Sequence, residues 1–217
     1  MTQKVALITG ASAGVGLGTA RVFDEHGWVV YSLSRTPPPD DAIIHFPFDL
    51  AQPLGLKAIL SDLLQIDALI HNAGVTGNGP EVTALGVPAL SALLHATRDR
   101  LMESRGALVV VSSYAAGRPE YGLYGKVKAD LEDFTLRFAQ GAAPFGVRAN
   151  IVRPHYITGT RNWPVAQPAT AATIPLGHFG QPRDCGTLIY ELAVNPFVTG
   201  AVVPVDGGVS VSERTFP

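Results

Sequence analysis

Short runs of apolar and β-branched residues alternate along the chain with longer stretches whose apolar positions recur at helical spacing. Seven runs are predicted strands, at residues 5–9, 28–34, 42–48, 67–71, 107–112, 147–152 and 201–205. Helices are predicted between most of them, at 15–26, 53–65, 84–104, 122–141 and 182–194. Such alternation is typical of right-handed βαβ crossovers. The pattern therefore predicts an α/β fold, a doubly wound parallel sheet of about seven strands with helices on both faces.

A proline inside the third predicted strand indicates where that strand lies. Pro47 has no backbone N–H, so it is tolerated only where the strand lacks a ladder partner. In a doubly wound sheet of order 3-2-1-4-5-6, the third strand is an edge. We therefore expect this strand at the edge of the sheet.

Composition narrows the class of protein. The 217 residues are 47% apolar and 16% charged, which suits one buried core, so we expect a single domain over residues 1–217. The net charge of −2 gives no electrostatic footprint for nucleic acid or an anionic membrane. The single cysteine, Cys185, has no partner for an internal disulfide. With no signal-peptide core and no apolar run of membrane-spanning length, we expect a cytoplasmic protein with neither of those partners.

A glycine-rich turn, "TGASAGVGLG", follows the first predicted strand. Gly10, Ser12 and Gly14 match the G-x-S-x-G nucleophile elbow of α/β-hydrolases, but no earlier strand is predicted to supply that fold's oxyanion loop. Gly10, Gly14 and Gly16 also match G-x-x-x-G-x-G, in which glycines let backbone N–H groups approach a pyrophosphate at a helix N-terminus. The strand–turn–helix context favours this second interpretation and a Rossmann-type domain.

The stretch 112–128 holds three tyrosines and two lysines. Tyr124 and Lys128 are four residues apart, so on a helix they share one face. Tyr121 has Gly125 at the corresponding position, and Lys126 lies on a different face. The spacing therefore selects Tyr124 and Lys128 as the candidate pair.

Six motifs in one order resemble those of the short-chain dehydrogenase/reductase family over nearly the whole chain. They are T-G-x-x-x-G-x-G at 9–16, N-A-G at 72–74, Y-x-x-x-K at 124–128, N-x-V-x-P at 150–154, "PLGHFGQP" at 175–182 and "TGAVVPVDGG" at 199–208. The glycine-rich and C-terminal motifs are similar to those of 3-oxoacyl-thioester reductases. The resemblance implies hydride transfer between a nicotinamide cofactor and a carbonyl or secondary alcohol, without a metal.

By this resemblance, Ser113, Tyr124 and Lys128 are catalytic. Tyr124 acts as general acid or base, and Ser113 donates a hydrogen bond to the carbonyl oxygen. Lys128 holds the nicotinamide ribose. Lowering a tyrosine pKa from ~10 to near 7 requires ~4 kcal/mol, about what one cation at ~4 Å supplies at an effective dielectric of 20. We therefore expect Lys128 to lower the pKa of Tyr124.

The resemblance also assigns the cofactor contacts. Asp49 and Leu50 correspond to an adenine-contacting pair, and Ile157 to the residue that meets the nicotinamide carboxamide. The remaining implied contacts are Gly10, Ser12, Ala13, Gly14, Val15, Gly16, Asn72, Ala73, Gly74, Tyr124, Lys128 and Pro154.

The residues after the second predicted strand bear on the choice of cofactor. A carboxylate at this point binds the ribose 2′-hydroxyl of NAD, whereas an arginine accommodates the 2′-phosphate of NADP. Here Ser34 takes the acid's place and Arg35 follows. The sequence favours NADP(H), and NAD(H) stays possible.

Three positions depart from the family pattern. His155 replaces the usual glycine after Pro154, where it either contacts substrate or points to solvent. Trp163 lies in the short loop 158–173, a candidate substrate contact. Thr83, in "VTALG", takes the place of an asparagine that holds a proton-relay water, and is either its replacement or an ordinary helix residue.

Two functions follow. The first is an NADP(H)-dependent reductase or dehydrogenase acting on a small-molecule carbonyl or alcohol; the second is an NADP(H)-binding sensor or scaffold with little turnover. The resemblance implies a homodimer or homotetramer formed through the helix after Tyr124. Its apolar stripe is Val127, Leu131, Phe134 and Phe138, which either belongs to that interface or faces the sheet.

Overall fold

The computed structural model describes residues 3–160 and 171–212. Seven strands in this part form one parallel sheet, in the order β3-β2-β1-β4-β5-β6-β7. Their bounds are β1 Val5–Thr9, β2 Val29–Ser34, β3 Ile44–Pro47, β4 Ala68–His71, β5 Ala107–Val111, β6 Arg148–Pro154 and β7 Val202–Val205. The doubly wound sheet predicted from the alternating pattern is thus confirmed.

The third strand is the edge that its proline predicted. β3 pairs with β2, with Pro47 opposite Ser34, and it is the outermost strand of the sheet. The next residue, Phe48, donates its N–H to the Ser34 carbonyl and ends the ladder. Pro47 therefore interrupts no strand pairing on its free side.

Helices cover both faces. Over the described residues they are α1 Gly14–Glu25, α2 Leu56–Ile59, α3 Pro80–Ala84, α4 Val87–Ser104, α5 Gly122–Ala142, α6 Pro182–Val194 and α7 Val209–Ser212, with 3-10 turns at Pro119–Tyr121 and Ala143–Phe145. None of these helices is long and apolar enough to cross a bilayer.

Two predicted helices differ from the structure. The helix expected over 53–65 is reduced to the single turn of α2, which begins directly after the left-handed Gly55 (φ 83°) and ends at Ile59. The helix expected over 84–104 corresponds to α4, which begins only at Val87 because Gly86 before it has a non-helical ψ of −131°; the short helix α3, which ends at Ala84, was not predicted. Pro88 then lies in the first turn of α4, where its missing N–H costs no hydrogen bond.

The core has two layers, one on each face of the sheet. Leu7, Leu69 and Leu108 point to the face covered by α2, α4 and α5, while their strand neighbours point to the face covered by α1 and α6. Alternate strand residues thus serve opposite layers. The apolar stripe of α5 belongs to the first layer: Val127 and Leu131 are buried, and the two phenylalanines pack against the same cluster. The stripe therefore faces the sheet and does not indicate a dimer interface.

Helices α1 and α6 approach each other closely at two glycines. A Cβ at Gly18 would lie 2.6 Å from Pro182, and one at Gly186 would lie 2.8 Å from the Gly18 carbonyl oxygen. Because real Cβ atoms do not approach backbone so closely, this contact requires glycine at both positions.

Candidate active site

A cleft of about 1000 Å³ opens at the carboxyl edge of the sheet. This is where ligands bind in open α/β sheets, at the point where strand order reverses between β1 and β4. It collects eighteen of the predicted site residues: Gly10, Ser12, Ala13, Gly14, Val15, Ser34, Arg35, Asp49, Leu50, Asn72, Ala73, Gly74, Ser113, Tyr124, Lys128, Pro154, His155 and Ile157. Gly16 is buried behind the turn, Thr83 lies outside the cleft, and Trp163 lies outside the described residues.

The glycine turn leaves room for a phosphate. Gly10 and Gly14 have positive φ angles (68° and 55°), which side-chain-bearing residues rarely adopt. A Cβ at Gly16 would lie 2.3 Å from the Gly10 carbonyl oxygen, so the turn closes onto the helix only with glycine there. No side chain of the described residues caps α1, and its first residues, Gly14 and Val15, line the cleft beside Ala13. The turn thus fits a pyrophosphate at a helix N-terminus.

Thr9, at the end of β1, joins the glycine turn to the N-A-G segment. Its buried hydroxyl oxygen accepts the N–H groups of Asn72 (3.0 Å) and Ala73 (2.9 Å). The Asn72 amide in turn donates to the carbonyls of Thr9 and Gly10. These contacts hold the two cofactor-side turns at a fixed separation.

The residues at the adenosine end are arranged as follows. The buried Ser34 hydroxyl donates to the Thr36 carbonyl (2.8 Å) and contacts the Ser32 hydroxyl. Arg35 is exposed, lines the cleft, and forms an ion pair with Glu81 (2.9 Å). The sequence did not single out Glu81. Asp49 accepts the Ala51 N–H with Oδ1, and Leu50 is buried beside it.

The two serines that close β5 face different partners. Ser112 is buried and donates its hydroxyl to Glu132, which also receives a bidentate ion pair from Arg153. Ser113 accepts the Ala115 N–H (3.2 Å) and forms a side-chain hydrogen bond with Tyr124. The structure thus brings the second serine, not the first, to the tyrosine.

Tyr124 and Lys128 lie on one face of α5, with the Lys128 ammonium 5.8 Å from the tyrosine ring centre. The expectation that Lys128 lowers the pKa of Tyr124 is wrong for these residues by themselves. Burial raises the pKa of Tyr124, and the hydrogen bond from Ser113 opposes this in part. Lys128 donates to the Val111 carbonyl (2.9 Å), and burial lowers its pKa to about 8, against the opposing charge of Glu132. Its ammonium is directed to the strand backbone rather than to the phenol.

A buried histidine lies behind Lys128. His71 ends β4, contacts the Leu85 carbonyl through Nε2 (3.2 Å), and has no partner at Nδ1 among the described residues. Burial, with a contribution from the charge of Lys128, lowers its pKa to about 3. His71 is therefore neutral at physiological pH; the sequence did not single it out, although it directly precedes the N-A-G motif.

Thr83 does not reach this region. Its side chain is exposed on α3, which favours the ordinary helix residue over a hydroxyl that holds a relay water. A small void of about 10 Å³, the size of one water, does lie beside Lys128 and Tyr124. Leu85 and Gly86 line it from the break between α3 and α4, and Thr83 does not.

His155 lies within a stack of aromatic rings at the other end of the cleft. Its imidazole is 4.0 Å from the Tyr114 ring and 3.7 Å from the Tyr156 ring, measured between ring centres. The Arg118 guanidinium lies over the far face of Tyr114 at 3.8 Å. Of the two alternatives for His155, the structure favours the cleft over bulk solvent, because the ring is half-buried and lines the cleft.

Comparisons with known proteins agree with this geometry. The model of the family described as Enoyl-(Acyl carrier protein) reductase matches residues 10–210. Protein FixR of Bradyrhizobium diazoefficiens is 32% identical over an alignment of 242 positions, gaps included, and the alignment covers 94% of this chain and 86% of that protein. Cyclohexanol dehydrogenase of a Rhodococcus strain is 30% identical over an alignment of 265 positions, which covers 96% of this chain and 97% of that protein.

A solved structure shows the same architecture. The crystal structure of an oxidoreductase of the short-chain dehydrogenase/reductase family from Burkholderia thailandensis superposes with a TM-score of 0.88 at 25% identity. The match covers 97% of this chain and 94% of that one. Together with the cleft and the motifs that line it, these matches show that the chain belongs to the short-chain dehydrogenase/reductase family and is an NAD(P)-dependent oxidoreductase.

Proposed function

We propose that the protein is an NADP(H)-dependent oxidoreductase that interconverts a small carbonyl compound and its secondary alcohol, with Tyr124 as general acid and base. The observation that carries the proposal is the Ser113–Tyr124 hydrogen bond, in a cleft that also contains Lys128 and the glycine turn. A binding protein without chemistry has no need of a buried phenol paired with a hydroxyl.

The nicotinamide cofactor supplies or accepts hydride when it is bound. Tyr124, whose pKa is raised, is protonated at neutral pH, the form that donates a proton to a developing alkoxide. The Ser113 hydroxyl donates to the same oxygen and stabilises the charge that forms there. Lys128, with a pKa near 8, is cationic at neutral pH and would hold the ribose hydroxyls of the nicotinamide when the cofactor is bound. These protonation states favour carbonyl reduction at neutral pH and alcohol oxidation at higher pH.

Cofactor contacts are proposed at both ends of the cleft. The N–H groups at the start of α1 bind the pyrophosphate, Asp49 and Leu50 contact adenine, and the backbone of Ile157 meets the carboxamide. Arg35 binds the 2′-phosphate, which is why we propose that NADP(H) is preferred over NAD(H).

The substrate end is flat and aromatic. Tyr114, His155 and Tyr156 present stacked rings beside Tyr124, a surface that suits a cyclic or extended apolar carbonyl compound. One 30%-identical relative is a cyclohexanol dehydrogenase, and another at 27% is a 3-oxoacyl-[acyl-carrier-protein] reductase of Thermotoga maritima. Cyclohexanones and 3-oxoacyl thioesters are therefore the first compounds to assay.

The test is the variant Tyr124→Phe. Its turnover of cyclohexanones and 3-oxoacyl thioesters is measured by the loss of NADPH absorbance, and its cofactor affinity by direct titration with NADPH. Loss of turnover with cofactor binding intact is expected, because the change removes the proton donor and little contact area. The control is Tyr121→Phe, which alters a more exposed ring of the same cleft and should retain most turnover. Turnover retained in Tyr124→Phe would refute the assignment. Cofactor binding without turnover in the parent would favour the sensor or scaffold.

Assembly and compartment complete the proposal. By family likeness we propose a homodimer or homotetramer, and light scattering at micromolar concentration tests it through the mass. The buried thiol of Cys185, the single cysteine of the chain, is compatible with the cytoplasm, which we propose as the compartment.

A further inference from the structure

An ion pair spans the adenosine end of the cleft and joins two elements that are distant in sequence. Arg35 follows β2, Glu81 lies in the first turn of α3, and the two are 46 positions apart. Arg35 Nη1 donates to Glu81 Oε1 at 2.9 Å, and the two side chains are 50% and 41% exposed. Arg35 lines the cleft. Glu81 does not line the cleft and contacts Arg35 from outside it.

The pair bears on selectivity because a carboxylate and a phosphate present the same kind of acceptor to a guanidinium. Ser34, where many dinucleotide folds have an acid, carries no charge and spends its hydroxyl on the Thr36 carbonyl. Asp49, at the same end, accepts the Ala51 N–H. Glu81 is thus the carboxylate that engages Arg35, and a 2′-phosphate must either displace it or share the guanidinium with it.

We propose that Glu81 is a specificity-determining residue that limits the preference for NADPH over NADH, by holding the Arg35 guanidinium and by repelling the 2′-phosphate. The inference rests on the proposed function, because it takes Arg35 as the phosphate contact. NADH carries a 2′-hydroxyl in place of the phosphate, so its affinity does not depend on whether Glu81 holds Arg35. The protein therefore accepts both cofactors, with NADPH favoured less than Arg35 by itself would produce.

The expected effect of the Glu81 charge on the affinity for NADPH is small. An exposed ion pair of this kind changes an equilibrium by a factor of about one to five. A carboxylate near a phosphate dianion in water adds a repulsion of similar size, which salt screens. Removing the charge of Glu81 should tighten NADPH binding by about threefold to tenfold at low salt.

The experiment measures dissociation constants of NADPH and NADH by calorimetry for the parent, Glu81→Gln, Arg35→Ala and the double variant. Glu81→Gln is expected to tighten NADPH by the stated factor and to leave NADH unchanged, and in the Arg35→Ala background the gain should fall to the part that comes from direct repulsion of the 2′-phosphate. Glu103→Gln, which removes the same charge from an exposed site on α4, is the control for net charge and should alter neither constant. Adenosine 2′-monophosphate against adenosine, both titrated in the same variants, isolates the 2′-phosphate from the nicotinamide.

The outcomes separate the inference from the function on which it rests. An unchanged ratio of the two constants in Glu81→Gln, with both cofactors still binding, overturns the inference and leaves the oxidoreductase intact. Weaker NADH binding in Glu81→Gln also overturns it, since Glu81 would then be an acceptor for the 2′-hydroxyl. A parent that binds neither cofactor overturns the proposed function, and the inference with it.

Discussion

Replacing Lys128 with methionine should make the protein more stable while abolishing its activity. The lysine is buried, and burial lowers its pKa from 10.5 to about 8. A shift of about 2.5 units corresponds to about 3 kcal/mol at 1.36 kcal/mol per unit, and it opposes folding because the buried cation is the disfavoured form. Methionine fills a similar volume without charge, but forfeits the hydrogen bond to the Val111 carbonyl, worth about 1 kcal/mol. We expect the free energy of unfolding of Lys128→Met to exceed that of the parent by about 2 kcal/mol at pH 7.

The pH dependence gives this prediction its sign. Between pH 8 and 10.5 the unfolded chain holds a proton on Lys128 that the folded chain releases, so the stability of the parent rises with pH. Below pH 8 both states are protonated and the full cost is present. Between pH 7 and 9.5 the free energy of unfolding of the parent should therefore rise by about 2 kcal/mol relative to that of Lys128→Met. The two proteins should then be about equally stable at pH 9.5. Tyr124 titrates above this window, since its pKa is raised.

Urea unfolding followed by far-ultraviolet circular dichroism at several pH values between 7 and 9.5 measures both quantities. Lys126→Met is the matched control, on the same helix but exposed and paired with Asp130, and its difference from the parent should not depend on pH. A stability difference between the parent and Lys128→Met that stays constant over this range would refute the reasoning. So would a variant less stable than the parent at pH 7.

Three further predictions concern other residues of the site. Because the pKa of His71 is about 3 in the folded protein, the parent should lose about 2 kcal/mol of its free energy of unfolding between pH 7 and 5, and His71→Leu should flatten that loss in urea titrations; an equal slope in both proteins would contradict it. Gly16→Ala places a methyl group 2.3 Å from the Gly10 carbonyl oxygen, so it should lower the melting temperature and weaken NADPH binding by more than about tenfold, whereas Gly141→Ala, which meets nothing within 4 Å, should do neither. Thr83→Val should leave turnover and cofactor binding unchanged, since the side chain is exposed; a slower rate across pH 6 to 9 would restore a role for its hydroxyl.

The fold was predictable because its signals are local. Each strand is a short apolar run, and the proline in the third run identified the edge. The prediction was wrong over 53–65, where Leu54 and Leu64 match a helical pattern but are almost fully exposed. The left-handed Gly55 prevents a helix from beginning before Leu56, and hydrophobic spacing alone does not reveal this.

The site was predictable only in part. Residues joined by a fixed spacing, such as Tyr124 and Lys128, were found because one helix turn relates them. The pairing of Arg35 with Glu81 depends on where α3 lies, on the N-terminal side of the break at Gly86, and no spacing rule encodes such a contact. The pKa of Tyr124 was mispredicted for a related reason, since burial depends on the whole cleft and not on the neighbouring cation.

The glycine contact between α1 and α6 ties the two halves of the sheet together. The first half, β3-β2-β1, carries the phosphate turn at the start of α1, whereas α6 follows β6 in the second half and does not line the cleft. Because Gly18 and Gly186 bring backbone against backbone, neither helix can open without disturbing the other. A ligand that stabilises the start of α1 therefore slows local unfolding of α6 as well. Cofactor binding would be recorded in the amide exchange of a helix that the cofactor never touches.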